Sequence, residues 1–74
     1  MAHPYTPSIK KEIGKNIRSF REKRGLRQTE VAEEAGISPA HFIRIEEGNA
    51  NPTLEKIYKI VKALKIKASQ ILPF

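Results

Sequence analysis

Gln28 to Asn49, QTEVAEEAGISPAHFIRIEEGN, is the stretch whose reading decides the fold. Val31, Ala32 and Ala35 fall on one face of a helix, and Thr29, Glu30, Glu33 and Glu34 fall on the other. Gly36 stands at the C-cap, where a left-handed backbone is easiest for a residue without Cβ. Ile37 then plugs the corner. Ser38 and Pro39 restart a helix, with a serine N-cap followed by a proline whose missing N–H costs nothing in the first turn. Phe42 and Ile45 share one face of this second helix and turn inward, and Gly48 ends it. Ala32 is small where the two helices must approach closely.

Helix, glycine turn, helix is the helix-turn-helix pattern. Gln28, Ala32, Gly36, Ile37, Ser38, Phe42, Ile45, Glu46 and Gly48 together resemble the signature of the Cro- and lambda-repressor-like helix-turn-helix family, also called the xenobiotic response element family. Pro52, Leu54 and the later run IVKALKI fit the same pattern, so the resemblance spans nearly the whole chain. It implies an all-α, compact five-helix lambda-repressor-like DNA-binding domain, with the motif at helices 2 and 3. It also implies a transcription regulator, usually dimeric.

Outward from the motif, the residues agree with that outline. On the N-terminal side, Ile9, Ile13, Ile17 and Phe20 form an apolar stripe at helical spacing. That helix starts at Thr6-Pro7 or Ser8 and ends at Gly25, with Leu26 beside the core. Residues 1 to 8 contain two prolines and no periodicity, which reads as an N-terminal arm preceding a domain over residues 9–74. The arm holds no Lys or Arg, so a frayed terminus is favoured over a groove-binding one. On the C-terminal side, Pro52 or Thr53 opens a helix with the stripe Leu54, Ile57, Ile60, Val61 and Leu64. Lys56, Lys59, Lys62 and Lys65 form a lysine row on it. Ala68 to Leu72 is expected as a short fifth helix ending before Pro73. No alternating β-branched run predicts a strand.

Composition narrows the function. The chain has 74 residues, enough for one domain with a modest core. It carries a net charge of +6, unevenly placed. Residues 9 to 24 hold seven Lys or Arg against two Glu, whereas residues 27 to 47 hold two Arg against five Glu. A basic balance favours a polyanionic partner, nucleic acid above all. Without Cys there are no disulfides and no thiolate zinc sites. No apolar run approaches the ~20 residues of a membrane span, and no signal peptide is apparent, so a cytoplasmic location is expected. Enzyme chemistry is poorly supported: there is no Asp, and His3 and His41 stand apart without ligand spacing. No metal and no cofactor are expected.

In a helix-turn-helix, the N-terminal residues of the second helix meet base edges in the major groove. The expected base-reading set is Ser38, Pro39, Ala40, His41 and Arg44. Arg44 leads it, because its fork can bond guanine O6 and N7 together. The competing role for Arg44 is an ion pair with Glu47. Ala40 suits a thymine methyl, and Ile43 either meets one or borders the core. Pro39 departs from the polar residue usual in the family, which either moves readout toward Ser38, His41 and Arg44 or lowers specificity. The resemblance gives Gln28 a phosphate contact, with a plain N-terminal cap as the alternative. Arg27, Thr29, Asn49 and Asn51 are the further expected phosphate ligands. The resemblance makes Glu46 structural, tied to Arg18 or Arg21.

The sequence therefore predicts a sequence-specific double-stranded DNA-binding regulator of repressor or controller type. It is expected to act as a homodimer on a palindromic operator. The dimer contact is expected at Ile71, Leu72 and Phe74, apolar residues that a short monomer has few places to bury. The competing reading is an antitoxin-type module that binds a toxin and autoregulates.

Overall fold

A computed structural model describes residues 6–73, so residues 1–5 of the arm expected over residues 1–8 lie outside the described residues, as does Phe74, while Pro7 and Ser8 belong to the first helix. Four α-helices follow one another: α1 (Pro7–Lys23), α2 (Gln28–Ala35), α3 (Pro39–Glu46) and α4 (Leu54–Leu64). No strand is formed among the described residues.

Side-chain caps explain where three of these helices begin. The Thr6, Ser38 and Thr53 hydroxyls each accept a backbone N–H three residues on, from Ile9, His41 and Lys56, at 3.1 to 3.2 Å. Each satisfies one of the N–H groups that a helix start leaves without a partner. At the start of α2 the Glu30 carboxylate accepts from the Arg27 backbone N–H at 2.7 Å. Gly36 closes α2 in the left-handed region at φ 71°. Lys65 closes α4 in the same region at φ 57°, a conformation that costs a non-glycine residue about 1 kcal/mol or more.

The helices bury Ile13 and Ile17 of α1, Val31, Ala32 and Ala35 of α2, Phe42 and Ile45 of α3, and Ile57, Ile60, Val61 and Leu64 of α4. Ile37 fills the corner between α2 and α3, and Ile71 closes the core from the C-terminal side. Ile9, Phe20 and Leu26 pack half-buried at its edge. One member of the expected α4 stripe departs: Leu54 is 77% exposed. It is the first residue of α4, a position that projects beyond the packed face, and Pro52 is buried in its place.

The expected fifth α-helix is a single 3₁₀ turn, Ala68–Gln70. The left-handed Lys65 stops α4, and Pro73 disfavours a helical backbone at Leu72. Too few residues remain between them to repay the cost of nucleating an α-helix. The turn is held instead by Asn16, whose side-chain amide donates to the Ile71 carbonyl at 3.1 Å.

Candidate nucleic-acid interface

α1 and α3 meet at Gly14, which is buried. A Cβ there would stand 2.6 Å from the Ile45 carbonyl oxygen and closer still to that of Glu46. Only a residue without a side chain allows this approach. It places the C-terminal end of α3 directly against α1, and it brings Glu46 under the arginines one and two turns further along α1.

Glu46 is 4% exposed and collects donors from two other helices. From α1, Arg21 Nε donates to its Oε2 at 2.6 Å and Arg18 Nε to its Oε1 at 3.4 Å. From the first turn of α2, Gln28 Nε2 donates to Oε1 at 2.9 Å. Arg21 also donates to the Leu26 carbonyl at 2.8 Å, which fixes the link between α1 and α2. A buried carboxylate is tolerated when its lone pairs are filled and opposite charge lies beside it. Both arginines named from the sequence engage Glu46, where one was expected. Gln28 braces α3 from α2, and this bond occupies one of its two amide hydrogens.

The expected base-reading residues divide. Ser38, Pro39, Ala40 and Arg44 are exposed on α3. The Ser38 oxygen accepts the His41 N–H as a cap and keeps its own hydrogen to donate. Arg44 Nη2 donates to the Asn49 carbonyl at 3.4 Å, which draws the side chain toward the turn after α3. Glu47 accepts instead from Asn49 Nδ2 at 3.4 Å, and no Arg44–Glu47 ion pair forms among the described residues. His41 is half-buried, and its Nε2 is shielded from water without a hydrogen-bond partner. The residue lines a shallow recess with Gly36, Ile37, Ser38 and Lys56. Ile43 is half-buried.

Arg27 and Thr29 are exposed beside Gln28, and Asn49 and Asn51 are exposed in the loop after α3. Of the residues expected at a dimer contact, Ile71 is fully buried in the protomer's own core and Leu72 is half-buried against it. The placement of Ile71 leaves it no surface to offer a partner. Two large apolar side chains that the sequence reading did not single out for a surface are open instead: Leu54 and, at 59%, Tyr58.

A family model described as helix-turn-helix matches residues 17–71. The chain belongs to this helix-turn-helix family. A transcriptional regulator of Sinorhizobium fredii, y4dJ, is 33% identical over 58 residues, covering 78% of this chain and 75% of that one. The immunity repressor protein of Bacillus phage phi105 is 34% identical over 59 residues; 80% of this chain matches 41% of the repressor. Among solved structures, the restriction-modification controller protein C.AhdI of Aeromonas hydrophila superposes with a TM-score of 0.86 at 26% identity. That match covers 88% of this chain and 98% of the controller.

Proposed function

We propose that this protein is a transcriptional regulator of repressor or controller type that binds a double-stranded operator through α3. The observation that carries the reading is the division of α3 into two faces. One face holds the buried Phe42, Ile45 and Glu46; the other exposes Pro39, Ala40 and Arg44. Such a helix, braced from behind and bare in front, suits insertion into a major groove. Arg44 is the guanine-reading group, Ala40 meets a thymine methyl, and Ser38 adds a hydroxyl donor. Arg27, Gln28, Thr29, Asn49 and Asn51 take phosphates on either side, where they fix register rather than sequence. His41 contributes less to readout than its neighbours, because its Nε2 is shielded from water and its backbone N–H is given to the Ser38 cap. The repressor and controller among the relatives support this reading.

The operator is bound by a homodimer. Leu54 and Tyr58 lie four residues apart on α4, one turn above the other, and a second copy is their occupant. Leu72, which the sequence placed at a dimer contact with Ile71 and Phe74, is half-buried in the protomer. A two-fold contact buries each side chain twice and sets two copies of α3 about 34 Å apart, which calls for a palindromic site.

Selection from random duplexes tests the proposal. A single enriched palindrome, bound with an affinity that falls steeply with salt, is the expected result. Equal weak binding to every duplex overturns it. Sedimentation of the parent beside a Leu54→Ser, Tyr58→Ser variant tests the dimer, which the variant is expected to lose.

A further inference from the structure

Base reading by α3 leaves the strongest feature of the charge distribution unused, namely the basic surplus of α1. The lysine row of α4 is not its equal. Lys62 and Lys65 line a groove with Glu30 and Glu34 of α2, which Arg24 also enters. Lys59 pairs with Glu55 at 3.5 Å, and Lys62 Nζ lies 5.2 Å from the centre of the Tyr58 ring. Three of the four cations in that row thus have an acidic or aromatic neighbour within the fold.

On α1, Arg18 and Arg21 pair with Glu46, but Lys11 and Lys15 are not balanced in this way. Lys11, Lys15 and Arg18 follow one another at spacings of four and three, so they form one edge of the helix, and all three are exposed. Lys11 and Lys15 form no ion pair among the described residues. The edge lies next to the side of α1 that touches α3, since Gly14 and Arg21 face α3 directly. Its two ends are anchored to the recognition helix. Arg18, 47% exposed, reaches Glu46 of α3. Lys11 packs on the turn that ends α3, where a Cβ on Gly48 would stand 2.8 Å from Lys11 Cγ and 2.9 Å from its Cα.

We propose that the Lys11–Lys15–Arg18 edge of α1 is a second nucleic-acid surface, which takes backbone phosphates of duplex DNA flanking the sequence read by α3. The proposal rests on the reading of α3 as the recognition helix. The edge continues the surface of α3 past its C-terminal end. Lysines on flexible stems suit contacts to phosphate, which need charge and reach but no fixed geometry. Such contacts add affinity and salt dependence without adding base preference.

The test compares the parent with a Lys11→Gln, Lys15→Gln variant, which leaves the Glu46 cluster intact. Each is titrated against the selected operator at its minimal length and against the same operator lengthened at both ends, over a range of salt. Thermal melting of both proteins accompanies the titrations. With the lengthened duplex, the log–log salt slope of the variant is expected to be shallower by close to two units per protomer, at roughly 0.9 per lost phosphate contact. With the minimal duplex the two proteins are expected to agree, and the preferred sequence is expected to stay the same. Equal slopes on the lengthened duplex overturn the proposal, as does a variant whose only change is a lower melting temperature. A parent that selects no sequence at all overturns the α3 reading itself, before the variant is consulted.

Discussion

Removing the Glu46 carboxylate, by Glu46→Ala, tests the packing scheme most severely. The substitution leaves three helices in place but takes the acceptor from Arg21, Arg18 and Gln28 together. Arg21 is the costly orphan, since its side chain is only 11% exposed and keeps only the Leu26 carbonyl as a partner. Breaking a buried ion pair from one side costs about 3–5 kcal/mol, because the remaining charge stays desolvated. Arg18 adds little, as a half-exposed partner at 3.4 Å is screened by water. A total near 3 kcal/mol is a large fraction of the stability of a domain of this size, which is about 0.05–0.15 kcal/mol per residue. Urea unfolding, followed by circular dichroism, is expected to show the midpoint falling with an unchanged slope. The melting temperature should fall by more than 10 °C, at about 4–8 °C per kcal/mol. The double substitution Arg21→Leu, Glu46→Leu removes both charges and is expected to recover much of the loss. A cost below about 1 kcal/mol for Glu46→Ala, or a double variant no better than the single one, would refute the view of Glu46 as a buried, charge-compensated link.

Gly14→Ala is expected to destabilise by about 1–3 kcal/mol in the same unfolding assay, although alanine is the better helix former, because the new Cβ meets the Ile45 and Glu46 carbonyls. Ile71→Ala should cost about 2–5 kcal/mol in the monomeric protein, as expected for a fully buried isoleucine; an effect only on dimer dissociation would return this residue to the interface. Arg44→Ala is expected to weaken binding to the selected operator by about 1–3 kcal/mol and relax the preference at one base, read by repeating the selection. Arg27→Ala should weaken binding to all duplexes alike and leave that preference unchanged.

The helix starts were legible because a capping side chain acts on a backbone N–H three residues away, a purely local matter. Thr6, Ser38 and Thr53 all sit where the sequence put a boundary. The apolar period likewise located the core of α1 and α4. It failed at Leu54 because periodicity cannot tell whether the first residue of a helix lies over the core or beyond its rim. Gly14 was passed over for a different reason: in sequence a glycine within a helix registers only as a weak helix former, and its value depends on which backbone crosses it. The C-terminal segment was misjudged because an apolar cluster looks the same whether it turns inward or outward. Ile71 turns inward, and the Asn16 bond that fixes the turn joins residues far apart in the chain. Gln28 shows the limit at the site. The family resemblance made it a phosphate ligand, and only the fold could reveal that Glu46 claims part of its amide.

The separation of α3 into a tethered back and a bare front bears on how a protein of this kind changes its target. Every strong restraint on α3 passes through Phe42, Ile45, Glu46 and the Ser38 cap, whereas Pro39, Ala40 and Arg44 support almost nothing behind them. Surface substitutions of that sort usually alter stability by no more than about 0.5 kcal/mol. Address and architecture can therefore drift independently. A duplicated copy could acquire a new operator by a few exchanges at three positions, without first passing through an unstable intermediate.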